Sequence, residues 1–346
     1  MTKTNPGNFF EDFALGQVIE HATPRTITAG DKALYGAIYP TRFALQSSDM
    51  FAGACGLPES PLDDLAAFHV VFGKTVPDIS LNAVANLGYA EGRFHRPVYL
   101  GDTLTSTSDV IGLKQNSNGK TGVVWVRTTG RNQMDEVVLD YVRWVMVRKR
   151  DVSAPAPDTV VPTLADAVAA SDIVVPEELD FSDYDTDLAG SPHLWDDYAV
   201  GEKIDHVDGA TLEEAEHMMA TRLWQNTAKV HFSKMARPDG RLIYGGHIIS
   251  LARALSFNGL ANCQMIAAIN GGSHTAPSMA GDTLHAWSEV LDKAETAVPS
   301  VGALRLRLVA VKNRTAEDFP LKGDDGKHAD GVVLDFDYWA LIPRRS

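Results

Sequence analysis

The sequence predicts an α+β fold made twice, each copy a long helix followed by an antiparallel meander. One observation is a repeat. Phe10-Glu11-Asp12-Phe13-Ala14-Leu15-Gly16, running on to Ile19-Glu20-His21, returns as Trp195-Asp196-Asp197-Tyr198-Ala199-Val200-Gly201, running on to Ile204-Asp205-His206. Gly101-Asp102-Thr103-Leu104 returns as Gly281-Asp282-Thr283-Leu284, and Val138-Leu139-Asp140-Tyr141 as Val333-Leu334-Asp335-Phe336. Landmarks recurring in the same order mean a duplicated domain. The other observation is a shared grammar of apolar periodicity between turn signals in both halves.

In chain order, each half opens with a turn and a strand. A short helical region follows, Ala29–Ile38 in the first half and Leu212–Leu223 in the second. A longer apolar helix is expected near Ile79–Leu87 and near Ile248–Leu260. In the latter, Ile248, Leu251, Ala252, Leu255 and Gly259 recur at helical spacing, which points to insertion in a core. Strands are expected near Tyr89–His95, Thr103–Leu113, Thr121–Thr129 and Glu136–Val147, and again near Met265–His274, Thr283–Leu291, Ala303–Lys312 and Gly331–Ile342. Each helix should cover one sheet face, with the halves paired side by side. Residues 1–150 and 193–346 are thus the two repeats. Residues 151–192, with Pro155, Pro157, Pro162 and Pro176, read as a linker holding one short helix near Leu164–Ala170.

Composition bounds the function. A chain of 346 residues with 45% hydrophobic content can bury large cores. A formal charge of −14, with no basic stripe, argues against nucleic acid or an anionic membrane as partner. It does not forbid an anionic small ligand in a local basic pocket. Cys55 and Cys263, one in each half, lack metal-ligand spacing and suit a reducing cytosol. The start of the chain lacks the apolar stretch of a signal peptide, and no run of about 18 apolar residues occurs. The expectation is a cytoplasmic protein.

Features common to both halves are scaffold; one-sided features are candidates for chemistry. The Gly-Asp-Thr-Leu elements and the His21/His206 pair fall to scaffold on this test. Leu223-Trp224-Gln225-Asn226-Thr227-Ala228-Lys229-Val230-His231-Phe232, aligned on its basic residue, faces Ile38-Tyr39-Pro40-Thr41-Arg42-Phe43-Ala44-Leu45. His231 then faces Ala44 and Asn226 faces Tyr39, so a polar pair at i and i+5 exists in one copy. Ile243-Tyr244-Gly245-Gly246-His247-Ile248, before the long helix, faces Val71-Phe72-Gly73-Lys74-Thr75-Val76. Two glycines at a helix N-terminus permit close approach and leave N–H groups for a developing oxyanion. Because Gly73 matches Gly245, Gly246 is the better oxyanion candidate. A histidine near a carboxamide, opposite such donors, can move a proton while the donors hold an enolate. His274 has only an approximate counterpart in His95 and stays unassigned.

On these residues the chain resembles the MaoC-like, (R)-specific enoyl-CoA hydratase family, which has a hot-dog fold. That family carries an Asp and a His five apart in a motif like Gly-Asp-x-Asn-Pro-x-His, followed by a Gly at the start of the central helix. His231 falls on the family histidine, Asn226 on the aspartate position and Gly246 on the oxyanion-hole glycine. The resemblance implies a double hot-dog over nearly the whole chain. It also implies a lyase that adds water reversibly to an α,β-unsaturated CoA thioester. The wording from Leu223 to Phe232, with Tyr39-Pro40-Thr41-Arg42, is most like the branch that interconverts mesaconyl-CoA and β-methylmalyl-CoA. No metal or redox cofactor is implied, and CoA is part of the substrate. Asn226 cannot accept a proton, so either His231 alone is the acid/base and Asn226 orients the water, or another acid such as Asp239 substitutes.

The carboxylate of a mesaconyl group needs a cationic partner if buried. Arg42, Lys229, His247 and Arg253 are the candidates, with Gly245 beside the acyl group; Arg93 and Arg96 are candidates for CoA phosphates. Other readings are a broad (R)-specific enoyl-CoA hydratase with an apolar acyl tunnel, a hot-dog thioesterase, and a non-catalytic acyl-CoA binding protein. Exposed hot-dog sheet edges favour association, so a homo-oligomer is a further expectation.

Overall fold

The computed structural model describes residues 3–237 and 239–345. The first half runs β1 (Val18–Thr26), α1 (Ala29–Ile38), α2 (Ala44–Ser47), α3 (Asp49–Ala54) and α4 (Asp64–Thr75), then β2 (Ala83–Phe94), β3 (Thr103–Gln115), β4 (Thr121–Arg131) and β5 (Val137–Arg148). After α5 (Thr186–Ala189), the second half runs β6 (Lys203–Thr211), α6 (Glu214–Leu223), α7 (Lys229–Phe232), α8 (Gly245–Leu255) and α9 (Phe257–Leu260). It ends in β7 (Met265–His274), β8 (Thr283–Glu295), β9 (Val301–Lys312) and β10 (Val332–Pro343).

One 10-stranded antiparallel sheet spans both halves in the order β1-β3-β4-β5-β2-β7-β10-β9-β8-β6. The halves meet edge to edge through β2 and β7, with Tyr89 opposite Gly272 and Ala90 opposite Gly271. α4 packs on β1, β3, β4 and β7, and α8 on β6, β8, β9 and β10. A single apolar core runs through both, from Phe68 and Val71 to Ile249, Leu306 and Phe336. Sheet and helix burial therefore couple the two copies.

Local signals explain the boundaries. Thr28 caps α1 reciprocally with Asp31: the Asp31 N–H donates to Thr28 Oγ1, and the Thr28 N–H donates to Asp31 Oδ2 at 2.8 Å. The repeated Gly-Asp turns are equivalent in detail. Gly101 and Gly281 have φ of 95° and 94°, the left-handed region that glycine enters without strain. Their aspartates accept the Tyr99 and Met279 N–H groups at 2.8 and 2.9 Å. His21 and His206 likewise each bond a serine, Ser108 and Ser288, through Nε2 at 2.8 Å. Both symmetric features hold strands and turns together.

The central helix of the first half is not where periodicity placed it. It spans Asp64–Thr75, whereas residues 79–87 hold the end of a π turn, Val76–Ser80, and the start of β2. All twelve residues of α4 are buried, so its sequence carries no polar face for a 3.6-residue period to reveal. Asp63, which caps the helix by accepting the Leu65 N–H at 2.9 Å, is its surviving start signal. In the second half α8 begins at Gly245 and ends at Leu255, and Gly259, at φ 103°, interrupts the helical backbone beyond it.

The expected helix at Leu164–Ala170 is absent; the connecting segment holds a 3₁₀ turn at Ala170–Asp172 and α5. Val168, Leu179, Phe181 and Ala189 bury themselves against Met265, Ala303 and Leu341, so this segment plates the sheet. Among the described residues no helix is long and apolar enough to cross a membrane.

Candidate active site

A cavity of about 310 Å³ lies between the two halves. The second half contributes Asn226, His231, Gly245 and His274; the first contributes Tyr89 and Arg143.

His231 is the third residue of α7. Its Nδ1 lies 2.8 Å from the Leu242 carbonyl, which can only accept, so Nδ1 carries the proton. In the neutral ring Nε2 is then the free base. Burial pushes the His231 pKa below the ordinary histidine value, only partly offset by the bond to Leu242, which keeps the ring neutral near pH 7. The buried Asn226 folds back on α7, its Oδ1 accepting the Ala228 N–H at 3.1 Å. That bond fixes which end of the amide is an acceptor and leaves its NH₂ group as donor. Asn226→Ala is accordingly expected to lower kcat about 10- to 100-fold with KM little changed, as a positioned donor is lost; steady-state kinetics would show it.

Counted from the first residue of each four-residue helix, α2 and α7 align differently from the sequence comparison. His231 matches Gln46, and Asn226 matches Thr41. The conclusion survives the two-residue shift, since neither Thr41 nor Gln46 titrates near neutral pH. The counterpart of Tyr244-Gly245 changes too, to Asp63-Asp64 at the start of α4. Gly73 sits near the other end of its helix, where an added Cβ would meet the Trp224 carbonyl at 1.7 Å. It says nothing about Gly245.

That matters for the oxyanion donor. The Gly245 and Gly246 N–H groups open α8, where no preceding helical carbonyl reaches them. Gly245 lines the cavity, while Gly246 is buried one step inside, beneath the Tyr244 and His69 rings. An added Cβ on Gly245 would meet His274 Nε2 at 2.3 Å; on Gly246 it would meet the Tyr244 ring at 2.4 Å and His69 at 2.5 Å. Both positions need glycine. Gly245 is the one that lines the cavity, and the match with Gly73 no longer favours Gly246 over it.

The N-terminus of α8 is ringed by histidines. His217 Nε2 accepts the Tyr244 N–H at 3.0 Å, satisfying the donor that precedes the helix. His69 bonds Ser250 Oγ at 2.8 Å, and His247 bonds the Tyr39 hydroxyl at 2.9 Å. Burial lowers His69 and His217 to about 3, and His247 and His274 to about 4. At neutral pH none of these brings a positive charge to the site.

The candidate cations separate clearly. Lys229, exposed on α7, lines the cavity. Arg42 lies over the Phe257 ring, 4.4 Å from its centroid, and does not line the cavity. Arg253 is buried against Phe43 at 3.6 Å and bonded to Ser256 Oγ and the Cys263 carbonyl, a packing role away from the cavity. His247 is neutral and bonded to Tyr39. Arg93 and Arg96 pair with Asp172 and Glu136 at 3.6 and 2.9 Å. Asp239 is exposed and does not line the cavity.

Sequence reading passed over Arg143. It sits in β5 with Tyr141, Val145 and Val147 on the inward face, where strand alternation places it. The repeat also flags it: Val138-Leu139-Asp140-Tyr141 aligned on Val333-Leu334-Asp335-Phe336 sets Arg143 against Tyr338, so the charge is one-sided. The basic end of the run, with Arg148 and Arg150 exposed, draws attention away from the inward Arg143.

Two hot-dog halves that share one cavity, lined by His231 and the start of α8, place the chain in the MaoC-like class. A family model described as mesaconyl-CoA hydratase matches residues 1–321, and the chain belongs to that family. It is 70% identical over 343 residues to a mesaconyl-CoA hydratase of Cereibacter sphaeroides, covering 99% of this chain and 100% of the relative. A MaoC domain protein dehydratase from Chloroflexus aurantiacus superposes with a TM-score of 0.96 at 63% identity, covering 100% of both chains. A Mycobacterium tuberculosis protein described as having a double hotdog fold superposes at 0.75 with 27% identity, over 98% of this chain and 99% of the other. The fold is thus the double hot-dog that the family resemblance implies, built on the duplication that the repeat announces.

Proposed function

We propose that this chain catalyses the reversible hydration of mesaconyl-CoA to β-methylmalyl-CoA. The observation that carries the chemistry is His231. Its Nδ1–H is held by Leu242, so a free Nε2 is presented in the cavity that also receives the start of α8. The substrate follows from family membership and from the 70% identical mesaconyl-CoA hydratase.

In hydration, the Asn226 NH₂ group holds a water that donates to His231 Nε2. His231 takes the proton as the water oxygen bonds to Cβ of the enoyl thioester. The electron pair of the double bond moves onto the thioester oxygen, where the Gly245 N–H, with Gly246 behind it, stabilises the enolate. Collapse of the enolate takes a proton at Cα, returned from the imidazolium. Holding water, base and carbonyl in one enclosed space supplies much of the rate. These steps call on no metal or redox group. CoA enters as part of the substrate.

Purified protein incubated separately with mesaconyl-CoA and crotonyl-CoA, with products followed by mass, tests the reading. Gain of one water on mesaconyl-CoA is expected. Gain on crotonyl-CoA alone would instead indicate a broad enoyl-CoA hydratase, release of free CoA a thioesterase, and no change in either thioester a binding protein.

A further inference from the structure

Arg143 is fully buried, and no carboxylate among the described residues lies within salt-bridge distance of it. Its Nη2 donates to Thr75 Oγ1 at 2.7 Å, and its guanidinium lies over the Phe72 ring, 4.2 Å from the centroid. The Nε and Nη1 groups have no partner. Burying a guanidinium without a counter-charge is costly, and an anion bound beside it would offset that cost. Arg143 lines the cavity that holds His231, as does Asn86 of β2, whose side-chain amide is also buried with neither end partnered. Tyr89 faces Arg143 directly across the β2–β5 pair, with Asn86 one turn of the pleat away, opposite Val145.

We infer that Arg143, assisted by Asn86, binds the free carboxylate of the acyl group and so sets the substrate preference; this rests on the proposed mesaconyl-CoA reading. The N–H groups on Nε and Nη1, which have no partner, are free to donate charge-assisted hydrogen bonds to the carboxylate. The Asn86 NH₂ group supplies a further donor. The division of labour between the halves becomes specific: the second half carries the proton chemistry, and the first half recognises the far end of the acyl chain.

The test compares Kd values by calorimetry for two unreactive thioesters, methylsuccinyl-CoA and methylbutyryl-CoA, which differ in the carboxylate. The parent protein is expected to favour methylsuccinyl-CoA by about 100-fold. Arg143→Met should erase that preference while leaving methylbutyryl-CoA affinity within about threefold. Asn86→Asp, which places a carboxylate beside Arg143, should suppress methylsuccinyl-CoA binding in the same way and guards against a folding defect in the first variant. A preference that survives in both variants, or is absent in the parent, overturns the assignment. The mesaconyl-CoA reading fails separately, if the parent protein hydrates crotonyl-CoA and leaves mesaconyl-CoA unchanged.

Discussion

Replacing His231 by Gln is expected to lower kcat for mesaconyl-CoA hydration by about 10²–10⁴-fold, the range that a positioned general base supplies. The Leu242 carbonyl holds this ring with a single hydrogen bond, and the side chain is only half-buried. Its melting transition should therefore stay within about 2 °C of the parent. The combination matters more than either number. Activity lost together with the fold would make His231 a packing residue, and activity retained would move the base to another group, with His274 the first alternative in the same cavity.

The second large effect concerns the start of α8. Gly245→Ala puts a methyl group where the His274 ring now stands, since the built Cβ comes within 2.3 Å of Nε2. The imidazole must swing into the acyl space or the helix end must retreat. Either way the proposed contact between the Gly245 N–H and the thioester oxygen is disturbed. Loss of one oxyanion donor costs about 10²–10³-fold in kcat. Gly246→Ala meets two buried rings, those of Tyr244 and His69, within the protein core. It should act chiefly on stability, with a depressed melting transition. Steady-state kinetics and thermal unfolding of the pair separate the roles. If Gly245→Ala kept full kcat, or if Gly246→Ala kept its melting transition and lost kcat instead, the donor assignment at this helix would be wrong.

Much of this architecture is legible before any coordinates. Duplicated turns around Gly101 and Gly281, with their strands, announce two copies of one domain because such turns need particular residues at fixed offsets. Of the residues that the comparison of copies singles out, Asn226 and His231 line one cavity, while Gly246 is buried behind Gly245. What misled was burial. A helix enclosed on all sides, as α4 is, has no polar stripe, so amphipathic periodicity does not mark it. The misplaced helix is what sets Gly73 against Gly245. Arg42, Arg253 and His247 looked available as cations because exposure and neutral pairing are invisible in sequence; the fold spends them on Phe257, Phe43 and Tyr39. Arg143 was readable from strand alternation, but only once its strand was known to face a cavity.

The central claim is that one neutral histidine, with no partnering carboxylate, is the base. The pH dependence of kcat/KM for mesaconyl-CoA hydration tests it most directly. Burial lowers the His231 pKa, so the active neutral form predominates above that value, and protonation removes activity as pH falls through it. The expected profile is flat around pH 7 and falls in a single tenfold-per-unit limb with its midpoint below the ordinary histidine value of about 6.5. A limb centred above about 6.5, or one that persists unaltered in His231→Gln, would contradict the assignment.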